Sequence, residues 1–166
     1  MKTAIVGVGN ILLKDEGVGV RVVQQLATSC SLPPGITVID GGTAGPHLLD
    51  ICCKYDDIII IDAVKGRGNP GTIYKFHIDL LSSEQSGATS LSMHDLGVPE
   101  AVSQARLLGK EPHIIIIGIE PQDISPWGME LSPLIAQKIP EVIALVLREL
   151  SQRGDGGCFD QRNQVS

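Results

Sequence analysis

Two runs of four isoleucines, Ile58–Ile61 and Ile114–Ile117, constrain this chain more than any other feature. An unbroken run of β-branched residues, with no polar alternation, reads as a strand covered on both faces. Such strands belong to parallel sheets packed between helices. Ala4–Val8 is a third short apolar strand, and Ile36–Ile39 a fourth, expected to stop at Asp40. Between them lie helical patterns. Val18, Val22, Val23 and Leu26 keep helical spacing within Gly17–Cys30, and further helices are expected over Pro46–Lys54 and Val98–Lys110. Thr72–His77 alternates and predicts an edge strand. A last helix is expected from Ser132 as N-cap, with Pro133 in its first turn and Pro140 kinking or splitting it. Strands alternating with helices predict a three-layer α/β/α domain with a mostly parallel sheet.

The chain of 166 residues is one ordinary domain, taken as residues 1–151, followed by a Gly-rich, polar tail at 152–166 expected to be flexible. The net charge of −6 argues against a nucleic-acid partner, because sequence-independent binding needs a basic surface. No apolar run is long enough to span a bilayer. Met1-Lys2-Thr3 leads straight into a strand, so no signal peptide is expected. Cys30, Cys52, Cys53 and Cys158 form no C-x-x-C pair and no disulfide framework; reduced thiols in the cytoplasm are the simplest reading.

In open α/β sheets the site lies beyond the carboxyl ends of the strands. The stretch Ala4–Val20 at first resembles a dinucleotide-binding turn. Gly7 and Gly9 are present, but Leu12 stands where that fingerprint needs a third glycine, and Asp15-Glu16 places two carboxylates where phosphate would sit. This loop suits a cation better than a nucleotide. The openings after the strands also hold Asp40 and Asp62. Glu16, Asp62 and one histidine would make an oxygen–oxygen–nitrogen set with open positions, suited to a divalent transition metal. Among the histidines, His94 is the best candidate, in a loop of small residues just before a helix. His77 belongs to an exposed strand, His113 starts a buried strand and reads as structural, and His47 at a helix start reads either way. Plainer readings stand beside these. Asp15 and Glu16 suit an acidic first helical turn, Asp62 a strand-ending turn, and Asp40 a ribose contact. No serine or cysteine nucleophile has a recognisable context.

Several of these stretches carry a resemblance. G-x-G-N-x-L-x-x-D-E-G-x-G at Gly7–Gly19 resembles the opening of the nickel–iron hydrogenase maturation endopeptidases. So do Asp40-Gly-Gly-Thr43, Ile61-Asp62-Ala63, Asn69-Pro-Gly71, His94-Asp-Leu-Gly97, Ile117-Gly-Ile-Glu-Pro121 and Leu131-Ser-Pro133, in order over roughly residues 3 to 150. The resemblance implies a phosphorylase/hydrolase-like α/β domain with a twisted five-stranded sheet. It implies a metal-dependent endopeptidase of aspartic or metallo type. Glu16, Asp62 and His94 correspond to the family's three metal-binding positions. The implied substrate is the nickel-loaded precursor of a nickel–iron hydrogenase large subunit, from which a C-terminal extension is removed. Nickel then arrives with the substrate. Asp40, beside Gly41, Gly42 and Thr43, is placed to position the peptide or act as general base. The loops at Lys65–Gly71 and Ser82–Met93 are expected to be mobile and to hold the extension. A monomer acting in the cytoplasm is expected, with no nucleic-acid or membrane partner. Two alternatives remain at this point: a non-enzymatic nickel-binding maturation factor, and an NAD-dependent oxidoreductase on a Rossmann-like sheet.

Overall fold

The computed structural model describes residues 1–43, 47–78 and 97–153. Its elements, in chain order, are β1 (Thr3–Val8), a 3-10 turn (Lys14–Gly17), α1 (Val18–Ser29), β2 (Ile36–Gly42), α2 (His47–Lys54), β3 (Asp57–Ala63), β4 (Ile73–His77), α3 (Val98–Leu107), β5 (His113–Ile119), α4 (Pro133–Ala136) and α5 (Ile139–Gln152). The sheet order is β2-β1-β3-β5-β4. The first four strands are parallel, and β4 runs antiparallel along the edge of β5. The expected α/β sheet and its edge strand are both present.

The two isoleucine runs lie side by side in register, Ile58 opposite Ile114 through Ile61 opposite Ile117. Alternation along a strand then divides them. Ile58, Ile60, Ile114 and Ile116 face one way, against Leu48 of α2 and Val98 and Val102 of α3. Ile59, Ile61, Ile115 and Ile117 face the other way, against Val22 and Leu26 of α1 and Val142 and Val146 of α5. All eight are buried. Each fully buried isoleucine contributes roughly 1.5–3 kcal/mol of burial free energy, so this block is the centre of stability. Cys52 packs into the same core. Burial, and then its neighbour Cys53, push its thiol up to about 11, which makes it a packing residue rather than a nucleophile. No described helix is long and apolar enough to cross a membrane.

Three details depart from the sequence expectation. β2 does not stop at Asp40 but continues to Gly42, because pairing with β1 continues past an irregularity, Gly7 opposite Asp40 and Val8 opposite Gly42. Ser132 does flank α4, but its hydroxyl makes no cap; it donates to Asp15 instead. The last helix divides as Pro140 implied, α5 beginning with that proline in its first turn. α5 runs through Gln152, and Arg153, assigned to the tail by composition, donates through Nη1 to Asp57 at 2.7 Å. The remainder of that tail lies outside the described residues.

The chain leaves β1 for β2 on one side and returns to β3 on the other, so β1 and β3 flank a switch point where a crevice opens. Two missing side chains let α1 come down onto it. A Cβ on Gly19 would overlap the carbonyl oxygens of Ile61 and Val8, and a Cβ on Gly7 would overlap the carbonyl oxygen of Gly19. Three backbones therefore meet where a methyl group would not fit. Alanine favours a helix over glycine by about 1 kcal/mol, so Gly19→Ala would stabilise an unconstrained helix. Here it should instead cost about 3 kcal/mol through overpacking, read as a lower urea midpoint with an unchanged slope.

Candidate active site at the carboxyl edge of the sheet

Asp15 and Glu16 are adjacent in sequence and do different work. The Asp15 side chain is fully buried. Its Oδ2 accepts hydrogen bonds from the Gln122 and Asp123 backbone N–H groups at 3.0 and 2.8 Å and from the Ser132 hydroxyl at 2.7 Å. Its Oδ1 accepts from the Ser132 N–H at 2.7 Å. This carboxylate is a fastener that ties the turn after β1 to the loop after β5. Lys14, held at φ 52°, reinforces it through Nζ to Asp123 at 2.6 Å and to Ser125 at 3.0 Å. The hydrogen bonds from Lys14 and then Ser125 hold the Asp123 carboxyl well below the usual range.

Glu16 is half-buried and remains at the switch point of the sheet. Asp62, the penultimate residue of β3, is buried at the carboxyl end of that strand. Desolvation pushes its carboxyl well above the ordinary value and the negative charge of Glu16 adds to this, partly opposed by the hydrogen bond from the Ala63 N–H. Among the described residues no lysine or arginine forms an ion pair with either carboxylate. Two acidic oxygens are thus gathered with no fixed counter-charge, which suits a cation arriving from outside. Among the described residues no group of three or more His, Cys, Asp or Glu side chains is placed to hold a metal. His94 lies outside the described residues. The described chain resumes at Gly97, and α3, which covers the face toward which Asp62 points, starts at Val98.

Asp40 sits apart from this pair. Gly7 lies between Asp40 and Ile61 in the pairing, so Asp40 is roughly 10 Å, two strand spacings, from the tip of β3. Alternation puts Asp62 on the face of Ile58 and Ile60, and Asp40 on the face of Ile36 and Val38. Asp40 is exposed; it accepts from the Gly42 N–H at 3.0 Å and from Gln24 Nε2 of α1 at 3.4 Å. Gly42 in turn accepts from the Gly9 N–H at 2.8 Å, so Asp40, Gly41, Gly42 and the exposed Thr43 form a rim beside the exit of β1.

The loop at Lys65–Gly71 is not free. The buried Glu120, just after β5, accepts through Oε2 from the Gly66 N–H at 2.6 Å and the Tyr74 hydroxyl at 2.8 Å. Tyr74 accepts from the Gly68 N–H at 2.8 Å, and the Gly71 N–H donates to the Glu120 carbonyl at 2.8 Å. Sequence reasoning met Glu120 only within Ile117-Gly-Ile-Glu-Pro121 and Tyr74 only within the edge strand, and gave neither a role. Ser82–Met93 lies outside the described residues. His113 is structural as expected but exposed: its ring lies 5.1 Å from that of His77 and its Nδ1 is 3.1 Å from Asp57. Both rings are at the amino edge of the parallel strands, away from Asp62.

The family model for hydrogenase maturation protease matches residues 20–149. The chain belongs to that family. It is 35% identical over 159 residues to the hydrogenase 2 maturation protease of Escherichia coli, covering 93% of each chain. It is also 35% identical over 151 residues to the hydrogenase expression/formation protein HupD of Bradyrhizobium diazoefficiens, covering 90% of this chain and 78% of the relative. Among solved structures it resembles the E. coli hydrogenase maturating endopeptidase HybD, with a TM-score of 0.79 at 33% identity over 93% of this chain and 94% of the other. Membership of a protease family sets the oxidoreductase alternative aside.

Two stability effects follow. Asp15→Ala leaves three backbone donors and the Ser132 hydroxyl without their buried acceptor and should cost about 3 kcal/mol, measured by denaturant unfolding. Asp62→Asn should do the opposite in metal-free protein. A carboxyl whose folded pKa is raised keeps its proton in the folded state after the unfolded chain has lost it, so wild-type stability falls as pH rises above about 4. Asparagine has no such loss. The Tm gain of Asp62→Asn should therefore be small near pH 4 and larger at pH 7.

Proposed function

We propose that this chain is a metal-dependent endopeptidase that removes the C-terminal extension from a nickel–iron hydrogenase large-subunit precursor already loaded with nickel. Family membership supports the peptidase and its hydrogenase substrate. The observation that carries the nickel-dependent part is the pairing of buried Asp62 with Glu16 at the sheet's switch point, two carboxylates that no lysine or arginine pairs with among the described residues. Protein carboxylates gathered in this way at a cost in desolvation are a site waiting for positive charge.

In this reading the nickel ion is part of the substrate. Glu16, Asp62 and His94 supply oxygen and nitrogen donors to it, an incomplete set that leaves positions for the precursor's own ligands. A nickel ion next to the scissile peptide polarises the carbonyl or activates water. The chain's own residues do the rest. Asp15 holds the Glu16 turn in place by tying it to the loop after β5. Gly41, Gly42 and Thr43 form a rim where an extended peptide lies beside β1, and Asp40 orients that peptide or takes a proton from water near it. Asp40 and Asp62 lie on opposite faces and about two strand spacings apart, so they are not an aspartic-protease dyad sharing one proton. A precursor lacking nickel offers nothing to the carboxylate pair and leaves uncut. The protein acts as a monomer in the cytoplasm.

Intact-mass measurement of the host's hydrogenase large subunits tests this. Deleting the gene should leave one subunit carrying its extension. Glu16→Gln, Asp62→Asn and His94→Ala, each confirmed as folded by circular dichroism, should slow removal by about 100-fold or more, since loss of even an outer-shell partner of a metal ligand costs roughly 10–100-fold. Normal processing by any of these three variants would overturn its assignment as a ligand.

A further inference from the structure

At the carboxyl edge, three large apolar side chains are left in water. Leu12 is 45% exposed, Trp127 78% and Met129 53%. Trp127 is the single tryptophan of a chain with only 3% aromatic residues, so its exposure is not the overflow of an aromatic-rich surface. The backbone beneath them is rigidly held. The Gly128 N–H donates to the Leu12 carbonyl at 3.0 Å and the Lys14 N–H to the Gly128 carbonyl at 2.9 Å, making a parallel bridge between Leu13 and Gly128. Arg21 Nη2 donates to the Met129 carbonyl at 3.0 Å, and Lys14 is engaged by Asp123 and Ser125. The two nearby cations fix the loop from within. Beside the exposed Gln122, Ser125 and Glu130, this edge turns three large apolar side chains outward.

We propose that Leu12, Trp127 and Met129 are the docking ridge for the precursor protein, receiving an apolar surface of that protein next to its metal-bearing cleft. This rests on the processing reading above. Continuity with the carboxylate pair points to this occupant: Leu12 and Glu16 belong to one five-residue peptide, and Asp15 between them ties that peptide to the same loop that carries Trp127 and Met129. A partner that brings a cation to Glu16 must come against this edge. A preformed, hydrogen-bonded base reduces the ordering cost of binding, and tryptophan is among the residues that carry most affinity when buried at an interface. Cation recognition at Glu16 and Asp62 then tests the metal, while the ridge recognises the protein that carries it.

The test uses the full chain and purified nickel-loaded precursor. Trp127→Ser and the double variant Leu12→Ser/Met129→Ser should keep the wild-type circular dichroism spectrum and Tm, since these side chains are exposed. Each should raise KM about tenfold or more while leaving kcat within about twofold, the pattern of lost docking rather than lost chemistry. With 5-fluorotryptophan at Trp127, the single fluorine resonance should shift or broaden on addition of precursor. Wild-type protein that cleaves the precursor with an unmoved resonance, and variants with unchanged KM, would overturn the docking ridge and leave the processing reading standing. Wild-type protein that leaves the precursor intact would overturn the processing reading, while the fluorine signal still decides docking. A resonance that shifts with protein concentration alone, with self-association abolished by Trp127→Ser, would assign the ridge to a second copy and overturn the proposal.

Discussion

The contact on which the rest depends is the meeting of three backbones at Gly19. Helix α1 can reach the ends of β1 and β3 only because Gly7 and Gly19 present no Cβ to each other or to the carbonyls of Val8 and Ile61. That approach pulls the 3-10 turn down to the switch point of the sheet and sets Glu16 near Asp62. With a side chain at either position the helix would stand off, and the two carboxylates would part. A packing constraint among main-chain atoms thereby becomes an electrostatic feature of the site.

The site is held against its own charge. Asp62 at the buried end of β3 would be more stable neutral, and the charge of Glu16 makes its ionisation harder still. The eight-isoleucine block beneath supplies the stability that tolerates this arrangement, and the Asp15 fastener prevents the turn from relieving the repulsion by moving away. The same fastener orders the loop that bears Trp127 and Met129. Carboxylate pair and apolar ridge are therefore two outputs of one hydrogen-bonded junction between the loops after β1 and β5.

Features made by local pattern could be read directly along the chain. The isoleucine runs named the central strands, alternation in Thr72–His77 named the edge, and Pro140 marked the break before α5. Asp62 was legible as a strand-tip carboxylate because it directly follows the isoleucine run Ile58–Ile61. The difference between Asp15 and Glu16 was not legible. The partners of Asp15 lie 107 to 117 residues away, and no periodicity reports such a contact. Glu120 with Tyr74, 46 residues apart, and Arg153 with Asp57, 96 apart, were hidden for the same reason. The opposite facing of Asp40 and Asp62 was hidden as well, since each reads simply as an acid at the end of a strand.

By itself, then, the sequence determined the class of fold, the family, and the set of acidic residues that the carboxyl edge would display. Burial of β-branched runs and helical spacing are local consequences of side-chain chemistry, and they survive being read one segment at a time. Only the tertiary structure decided which acid became a fastener, which pair of acids came together, and which apolar side chains stayed in water. Those outcomes depend on how closely backbones approach and on which donors lie across the sheet edge. Such distances are set by the packing of all the layers together and are encoded in no single stretch of chain.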